Sequence, residues 1–223
     1  MAGMDKGERV AGAEMTGTRE LYDEWAATYD SVDNPTRDLE KRTCESVLGG
    51  MSFGTIMELG GGTGKNTAWL AERAKRLISV DLSPEMQAIA KQKVQADNVE
   101  FRIGDITAQW DFAEPADLIT CSLILEHVED LHHVSREAAK FMKPGGRFYV
   151  CELHPFKQYV GSKARFETNR GLKVLQCFVH HLTDYTDSAM SNGFVIERMD
   201  EWFDDADRDR IPRLASFLFI RNM

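Results

Sequence analysis

Two features of this sequence predict an α/β fold. Short apolar runs rich in β-branched residues alternate with longer amphipathic segments, which is the pattern of a parallel sheet with crossover helices. The chain has 223 residues, of which 43% are hydrophobic, and this is enough for one sizeable core. We therefore predict a doubly wound, Rossmann-like sheet of about seven strands, mostly parallel, with an antiparallel hairpin at the C-terminal end.

The predicted elements follow in a regular order along the chain. Five apolar runs are predicted parallel strands, near residues 55–59, 77–81, 99–103, 117–122 and 146–152. Three amphipathic segments are predicted helices, near residues 66–74, 84–95 and 132–141. Ser83 followed by Pro84 favours a helix start, because serine caps free N–H groups and proline fits the first turn. The run from Lys143 to Gly146 is predicted to end the third helix.

The regular alternation of strands and helices ends beyond the fifth predicted strand. Residues 154–182 are too many for an ordinary loop and contain a strand-like run at 172–181, so we predict an inserted segment that covers the substrate. Strand-like runs at 194–199 and 215–220 are joined by a charged loop and predict the C-terminal hairpin.

Composition limits the partners and the compartment. The formal net charge of −9 argues against a nucleic-acid partner. The four cysteines form no Cys-x-x-Cys pair, which indicates a reducing compartment. No run approaches the roughly 18 apolar residues that span a bilayer, so we expect no membrane partner and a cytoplasmic location. Residues 19–223 are expected to form a single domain, and the polar residues 1–18 a flexible tail.

The glycine-rich stretch ELGGGTGKN, residues 58–66, looks at first like a phosphate-binding loop. A P-loop needs glycine and a hydroxyl residue where this chain has Leu59 and Asn66. A dinucleotide fingerprint needs glycine at the sixth position counted from Gly60, and that position is Lys65. The stretch therefore fits neither type of loop, and its distinguishing pattern is an acidic residue followed by alternate glycines.

Every predicted parallel strand delivers a polar group to one edge of the sheet, because the carboxyl ends of parallel strands meet there. Asp81 lies 21 positions past Gly60, where a carboxylate can accept hydrogen bonds from both hydroxyls of a ribose. The other polar residues at strand ends are Glu58, Asp105, Ser122, Glu126, His127, Glu152 and His154.

With these residues in view, the chain resembles the class I S-adenosylmethionine-dependent methyltransferases from about Leu21 onward. The resemblance rests on five motifs in order: ELGGGTG, SVDLSPEM, FRIGDI, LEHVED and FMKPGG. It implies that S-adenosylmethionine is the cofactor. The cofactor-binding residues that it implies are Tyr29, Glu58, Gly60, Gly62, Asp81, Leu82, Met86, Asp105, Ile106 and Ser122.

The implied roles follow the parts of the cofactor. Gly60 and Gly62 let the backbone approach the methionine moiety, and Asp81 binds the ribose. Leu82 and Met86 flank the adenine, while Asp105 and Ile106 meet its edge.

An aromatic stripe precedes these motifs. Tyr22, Trp25 and Tyr29 lie on one face of a predicted helix, which is usually a docking face. The resemblance suggests a second use, because many small-molecule methyltransferases fold such a helix over the cofactor. We therefore expect Tyr29 to contact the cofactor and Tyr22 the substrate.

Histidines are the candidate proton acceptors, although a base is needed only if the nucleophile must lose a proton. His154, His127 and His181 are the candidate catalytic residues, and His180 is a candidate substrate contact. No spacing matches a known metal-binding helix, so we expect no metal.

The sequence thus predicts transfer of a methyl group to an oxygen, nitrogen or carbon nucleophile of a small molecule. One alternative is a module that binds the cofactor without transferring the methyl group. A less favoured alternative is an NAD(P)-dependent oxidoreductase, which needs the glycine that Lys65 replaces. The identity of the acceptor and the oligomeric state are not predicted.

Overall fold

The computed structural model describes residues 17–168, 171–205 and 207–222. Within them the strands are β1 Phe53–Leu59, β2 Ala74–Asp81, β3 Val99–Ile103, β4 Ala116–Ser122, β5 Met142–Leu153, β6 Arg165–Thr168, β7 Gly171–Val174, β8 Phe194–Trp202 and β9 Leu214–Arg221. The α-helices are α1 Thr18–Tyr29, α2 Pro35–Leu48, α3 Thr67–Ala71, α4 Pro84–Lys93, α5 Leu131–Phe141, α6 Pro155–Tyr159 and α7 Leu182–Met190. A 3-10 turn spans Leu125–His127.

Seven strands form one sheet in the order β3-β2-β1-β4-β5-β9-β8. Strands β1 to β5 pair in parallel, and β9 runs antiparallel to both β5 and β8. The predicted fold class is therefore confirmed, including the C-terminal hairpin. The strand order reverses between β1 and β4, and doubly wound sheets bind their ligands beyond the carboxyl ends of the strands at that point.

The core lies on both faces of the sheet. Ile56 and Met57 are neighbours in β1 and both are fully buried, but they belong to different apolar clusters because alternate side chains point to opposite faces. Helix α5 covers one face through Val134 and Ala138, and α2 covers the other through Leu48. Burial on both faces explains why the strands are continuous apolar runs in the sequence.

Helix caps are formed by the residue types that favour them. Ser83 Oγ accepts a hydrogen bond from Met86 N at the start of α4, as predicted. Asn34 does the same for α2, accepting from the N–H groups of Thr36 and Arg37. The helix predicted at residues 84–95 is α4, which ends earlier, at Lys93. The helix predicted at residues 66–74 is α3, which ends at Ala71 because β2 begins at Ala74.

Three helices, α2, the short α6 and α7, were missed by the sequence prediction. Helix α2 is rich in charged residues, so its narrow apolar stripe is a weak signal. Helix α7 contains threonine, serine and aspartate, which have low helix propensity. It packs on α5, and its Tyr185 and Ala189 join the main core cluster there.

The predicted helix end at residues 143–146 lies instead inside β5. Helix α5 already ends at Phe141, and the pairing of β5 with β4 shifts its register across this run. Gly145 has a φ of +73°, a left-handed conformation that glycine adopts without strain. The proline and glycines therefore form an irregularity in the strand.

The inserted segment 154–182 begins with α6 and continues as the hairpin of β6 and β7. Its strand-like run at 172–181 is a strand only as far as Val174. The rings of Phe166 in β6 and Trp25 in α1 stack with centroids 4.8 Å apart. The hairpin and α1 therefore pack on one another as one layer.

The predicted tail falls mostly on residues 1–16, which lie outside the described residues. Helix α1 begins at Thr18, directly after Gly17. In the described parts of the chain, no helix has the length and apolar character needed to cross a membrane.

Candidate functional site

A cavity of about 550 Å³ opens at the carboxyl ends of β1, β2 and β4, beneath α1. Its volume falls within the range of about 300–1,000 Å³ that small-molecule sites occupy. Most of the residues that the sequence singled out lie in its wall. They are Tyr22, Tyr29, Gly60, Gly62, Asp81, Leu82, Met86, Asp105, Ile106, Ser122 and His127.

The glycine loop forms one wall of the cavity. Gly60 and Gly62 have φ angles of +70° and +54°, which side chains disfavour. A Cβ atom added to Gly60 would lie 2.2 Å from Ile124 Cγ2, so the loop also depends on close packing against the segment after β4. That segment contains Leu123, a cavity residue with a φ of +56°. Strained backbone of this kind concentrates at binding sites.

Asp81 ends β2 and is held by two backbone donors. Its Oδ2 accepts from Gly62 N at 2.7 Å and its Oδ1 from Ser83 N at 2.8 Å. Burial raises the pKa of this carboxyl above its usual value. Each carboxylate oxygen has a further lone pair, so the group can still accept from two ligand hydroxyls.

Glu58 lies beneath the glycine loop. Its Oε2 accepts from Thr67 Oγ1 at 2.6 Å and from Ser79 Oγ at 2.8 Å. It is 5% exposed, and burial raises its pKa to about 7. Glu58 lines a second, smaller cavity of about 60 Å³, which shares Tyr29, Gly60 and other residues with the main one.

The smaller cavity exposes two charged residues that sequence reasoning missed, Arg37 and Glu40 of α2. The Arg37 guanidinium lies over the Tyr29 ring, 4.0 Å from its centroid, and donates to the carbonyls of Tyr29 and Val32. Its Nε is buried and has no hydrogen-bond partner among the described residues. Arg37 and Glu40 are three residues apart, a spacing that places a cation and an anion side by side on a helix. The sequence could reveal this pair only if α2 had first been predicted as a helix.

Glu40 carries the matching negative group. Its Oε2 accepts from Asn66 Nδ2 at 2.8 Å, and the Ser122 hydroxyl is a second side-chain hydrogen-bond neighbour of the carboxylate, whereas Oε1 is buried without a partner of good geometry among the described residues. Burial raises the pKa of the Glu40 carboxyl. A buried oxygen and a buried N–H left free beside one cavity indicate a ligand that supplies both partners.

Tyr22 and His127 form a hydrogen-bonded pair in the wall of the main cavity. The Tyr22 hydroxyl lies 2.9 Å from His127 Nε2, and His127 Nδ1 lies 2.8 Å from the carbonyl oxygen of Gln176. A carbonyl only accepts, so in the neutral ring Nδ1 carries the proton and Nε2 accepts from Tyr22. Burial raises the pKa of Tyr22 well above its usual value, which keeps the hydroxyl protonated.

His154 does not reach the cavity, contrary to expectation. Its backbone N–H donates to the Arg213 carbonyl, so the chain still follows β9 and the side chain is directed towards β8. Its Nε2 is 3.1 Å from Glu201 Oε1, and its Nδ1 accepts from Phe156 N to cap α6. The side chain is 1% exposed, and burial lowers its pKa.

His180 and His181 also lie outside the cavity wall. His180 Nε2 donates to the carbonyl of Val128 at 2.7 Å. Val128 lines the cavity, so His180 stabilises the cavity wall without reaching the cavity itself. His181 caps α7, and its ring hydrogen-bonds to Tyr159. Of the histidines proposed from the sequence, the structure brings only His127 to the cavity.

One group of potential metal ligands occurs in the part of the chain that the structure describes. It consists of Glu126, His127 and Cys177, whose ligand atoms all lie within 4.8 Å of one another. Burial raises the pKa of the Cys177 thiol to about 12, so the metal-free side chain is protonated.

Comparison with known proteins agrees with this geometry. Residues 57–150 match the family model described as "Methyltransferase domain". A demethylmenaquinone methyltransferase of Tropheryma whipplei (strain Twist) is 27% identical over 155 residues, which cover 66% of this chain and 63% of that protein. A ubiquinone biosynthesis O-methyltransferase of Coxiella burnetii (strain Dugway 5J108-111) is 28% identical over 143 residues, covering 60% and 61%. This chain therefore spans less than two thirds of the length of these relatives.

Solved structures share the fold at low sequence identity. DhpI in complex with S-adenosylhomocysteine has a TM-score of 0.72 and 22% identity, with 91% of this chain and 94% of that chain covered. The N-methyltransferase NodS of Bradyrhizobium japonicum WM9, also with S-adenosylhomocysteine, has a TM-score of 0.70 and 19% identity, covering 93% and 100%. The fold and the matched domain agree with the resemblance: residues 57–150 match a methyltransferase domain, and the chain has the fold of solved S-adenosylmethionine-dependent methyltransferases.

Proposed function

We propose that this chain transfers the methyl group of S-adenosylmethionine to an oxygen, nitrogen or carbon atom of a small molecule. The observation that carries the proposal is Asp81, a partly buried carboxylate at the switch point of the sheet, which two backbone N–H groups fix in the wall of a cavity of suitable size. The ribose hydroxyls would donate to this carboxylate. The adenine would lie between Leu82 and Met86, with Asp105 and Ile106 at its edge.

The smaller cavity suits the amino-acid end of the cofactor. That end carries one ammonium and one carboxylate group, and the cavity wall carries the Glu40 carboxylate and the Arg37 guanidinium. The unpartnered Glu40 Oε1 can accept from the ammonium, and the unpartnered Arg37 Nε can donate to the carboxylate. Gly60 and Gly62 would let the backbone approach between them, and Glu58 and Ser122 complete the wall.

The acceptor would lie at the Tyr22 end of the main cavity. Methyl transfer from a sulfonium is an in-line displacement, so alignment of the nucleophile, the methyl carbon and the sulfur is the main task. Where the nucleophile must lose a proton, it would pass to the Tyr22 oxygen while the Tyr22 proton moves to His127 Nε2. Segment 154–182 would form the cover of this end, because it packs on α1 and supplies Gln176, which orients His127.

The relatives suggest an acceptor class. One is named a demethylmenaquinone methyltransferase and the other a ubiquinone biosynthesis O-methyltransferase, so quinone precursors and related phenols are the first acceptors to screen. A module that binds the cofactor without transfer predicts the same binding and no labelled product in that screen.

Calorimetry of cofactor binding tests the proposal. S-adenosylmethionine and its demethylated product should bind, and Asp81→Ala should weaken both by about 1–3 kcal/mol, since the ribose loses its charged acceptor. Asp111→Ala, an exposed aspartate away from the cavity, is the control and should bind as the wild type does. Unchanged affinity in Asp81→Ala would refute the ribose assignment, and binding of a nicotinamide dinucleotide alone would refute the proposal.

A labelled-methyl screen then tests transfer. With an acceptor that requires deprotonation, His127→Gln should lower the rate by about 10²–10⁴-fold, the usual effect of losing a positioned base. His154→Gln is the matched control, because His154 lies outside the cavity. Equal losses in the two variants would contradict the role given to His127.

A further inference from the structure

We propose that Glu126, His127 and Cys177 form a binding site for a divalent cation of the zinc class beside the acceptor cavity, whose wall includes His127. The three residues offer a carboxylate, an imidazole nitrogen and a sulfur within 4.8 Å of one another. Two of them are neighbours in the 3-10 turn after β4, and the third comes from the inserted segment. A mixed oxygen, nitrogen and sulfur set is typical of zinc.

His127 is already oriented as a metal ligand. Metal-binding histidines characteristically donate their second ring N–H to a carbonyl or a carboxylate, which fixes the tautomer. Here Nδ1 donates to the Gln176 carbonyl, so an ion would bind at Nε2 and replace the Tyr22 hydroxyl, which now donates to that nitrogen. Gln176 directly precedes Cys177, so the residue that orients the imidazole is next to the one that supplies the sulfur.

Glu126 provides the second, independent indication. The residue is 7% exposed, and its Oε2 has no hydrogen-bond partner within the described residues. Its Oε1 lies 3.9 Å from His127 Nε2, too far for a hydrogen bond. The Cys177 thiol is the side-chain hydrogen-bond neighbour of this carboxylate, so the buried group meets only a weak donor, and a cation would satisfy it better.

Zinc binding requires the three ligand atoms to move only slightly closer together. Zinc binds sulfur at 2.3 Å and nitrogen or oxygen at 2.0–2.2 Å, so ligand atoms around a tetrahedral ion are about 3.3–3.7 Å apart. Side-chain rotation of Glu126 and Cys177 can bring in the atoms that are now up to 4.8 Å apart. The thiol proton leaves to solvent as the ion binds.

Three protein ligands leave one position open on a tetrahedral ion, as in catalytic zinc sites. His127 and Tyr22 both line the cavity, so this position would be accessible to an acceptor oxygen. An ion on Nε2 also takes the lone pair that the Tyr22 hydroxyl now uses. With the ion bound, His127 acts as a ligand and no longer as a proton acceptor.

Cobalt titration of the purified full-length chain tests the site without cofactor or acceptor, so its outcome does not depend on methyl transfer. After treatment with a chelator, Co²⁺ should give a near-ultraviolet charge-transfer band from thiolate sulfur that saturates at one equivalent. Cys177→Ser should abolish the band, and His127→Gln should weaken binding at least about 10- to 100-fold, the loss typical of even an outer-sphere partner.

Two controls make the result decisive. Cys44→Ala removes a buried thiol elsewhere, and His132→Gln removes an exposed imidazole, so both should keep the band. In the wild type, Zn²⁺ should also slow alkylation of Cys177, mapped by mass spectrometry, which needs no variant to fold. No band in the wild type, an unchanged band in Cys177→Ser, or alkylation of Cys177 that is unaffected by Zn²⁺ would overturn the proposal.

Discussion

At the scale of single residues, two carboxylates join the two sides of the candidate site. Asp81 accepts from Gly62 N and so links the end of β2 to the glycine loop. Glu152 accepts from the N–H groups of Ile124 and Leu125 and so links the end of β5 to the segment after β4. Each carboxylate fixes a loop that has no partner strand, which keeps the cavity wall in place before any ligand binds.

Glu40 gives the sharpest residue-scale prediction for the cofactor. Glu40→Gln keeps the shape of the side chain but removes the charge that would meet the cofactor ammonium, so affinity for S-adenosylhomocysteine should fall by about 1.5–3 kcal/mol. Calorimetry measures this, with Glu45→Gln on the same helix as the control.

A cofactor analogue without the α-amino group separates the two explanations of such a loss. It should bind the wild type and Glu40→Gln equally, because it does not contact the carboxylate. If the variant weakens the analogue as much as S-adenosylhomocysteine, Glu40 stabilises α2 and does not bind the ammonium.

Glu152 predicts a pH dependence of stability. Burial raises its pKa in the folded protein to about 8, above the unfolded value, so the folded state binds the extra proton. This contribution is fully present below the unfolded pKa and is lost as the pH rises through about 8. Glu58, with a pKa of about 7, acts in the same direction.

The wild type should therefore lose stability between pH 5 and pH 8 in urea unfolding, and Glu152→Gln should lose less because its side chain stays neutral. Glu129→Gln, at an exposed position, should follow the wild type. A fall of the same size in Glu152→Gln and the wild type would assign the pH dependence to other groups.

At the scale of elements, α1 and the hairpin of β6 and β7 form a layer that depends on few contacts. Their cluster consists mainly of Leu21, Trp25, Met86, Phe166 and Leu175, and it is separate from both sheet clusters. Segments with small apolar clusters open locally at low cost, while the sheet stays folded. The layer can thus admit a ligand without disturbing the core.

Phe166→Ala should loosen this layer selectively. The ring stacks on Trp25 and is 6% exposed, so its loss removes an aromatic contact between the hairpin and α1. Hydrogen exchange should accelerate in residues 171–175 and stay unchanged in β1 and β4. Exposed Leu172→Ala in the same hairpin is the control. Faster exchange throughout the sheet would show instead that the layer and the core unfold together.

Sequence reasoning succeeded for the parallel strands of the sheet and for most of the residues at their ends. Strands buried on both faces are continuous apolar runs, so β1, β2 and β4 were identified, and the polar residues at their ends were expected at one edge. Asp81 and Ser122 lie there. His154 does not, because β5 pairs with β9 as far as Leu153 and the antiparallel neighbour determines the direction of the next side chain.

Arg37 and Glu40 were missed for a different reason. Both lie in α2, whose charged residues hide a narrow apolar stripe, although Asn34 and Pro35 give it the same kind of start signal as Ser83 and Pro84 give α4. The group of Glu126, His127 and Cys177 was also missed, because Cys177 is fifty residues from His127 and the β6–β7 hairpin brings them together.

At the scale of the whole molecule, ligand binding at the switch point joins parts of the chain that are far apart in sequence. The two cavities are lined by residues of α1, α2, β2 and the loops after β1, β3 and β4. A ligand that contacts all of them binds only the folded chain, so its binding energy adds directly to the stability of the fold.

This gives the last prediction. At a concentration one hundred times its dissociation constant, S-adenosylhomocysteine should stabilise the chain by about 2.7 kcal/mol. For a domain of this size each kcal/mol raises the melting temperature by about 2–4 °C, so the shift should be about 5–10 °C. Differential scanning calorimetry measures it, with adenosine as a control that fills only the nucleoside part of the site. NADH at the same concentration should give no comparable shift, because Lys65 replaces the glycine that a dinucleotide loop needs. A shift with NADH and none with S-adenosylhomocysteine would assign the cavity to a dinucleotide.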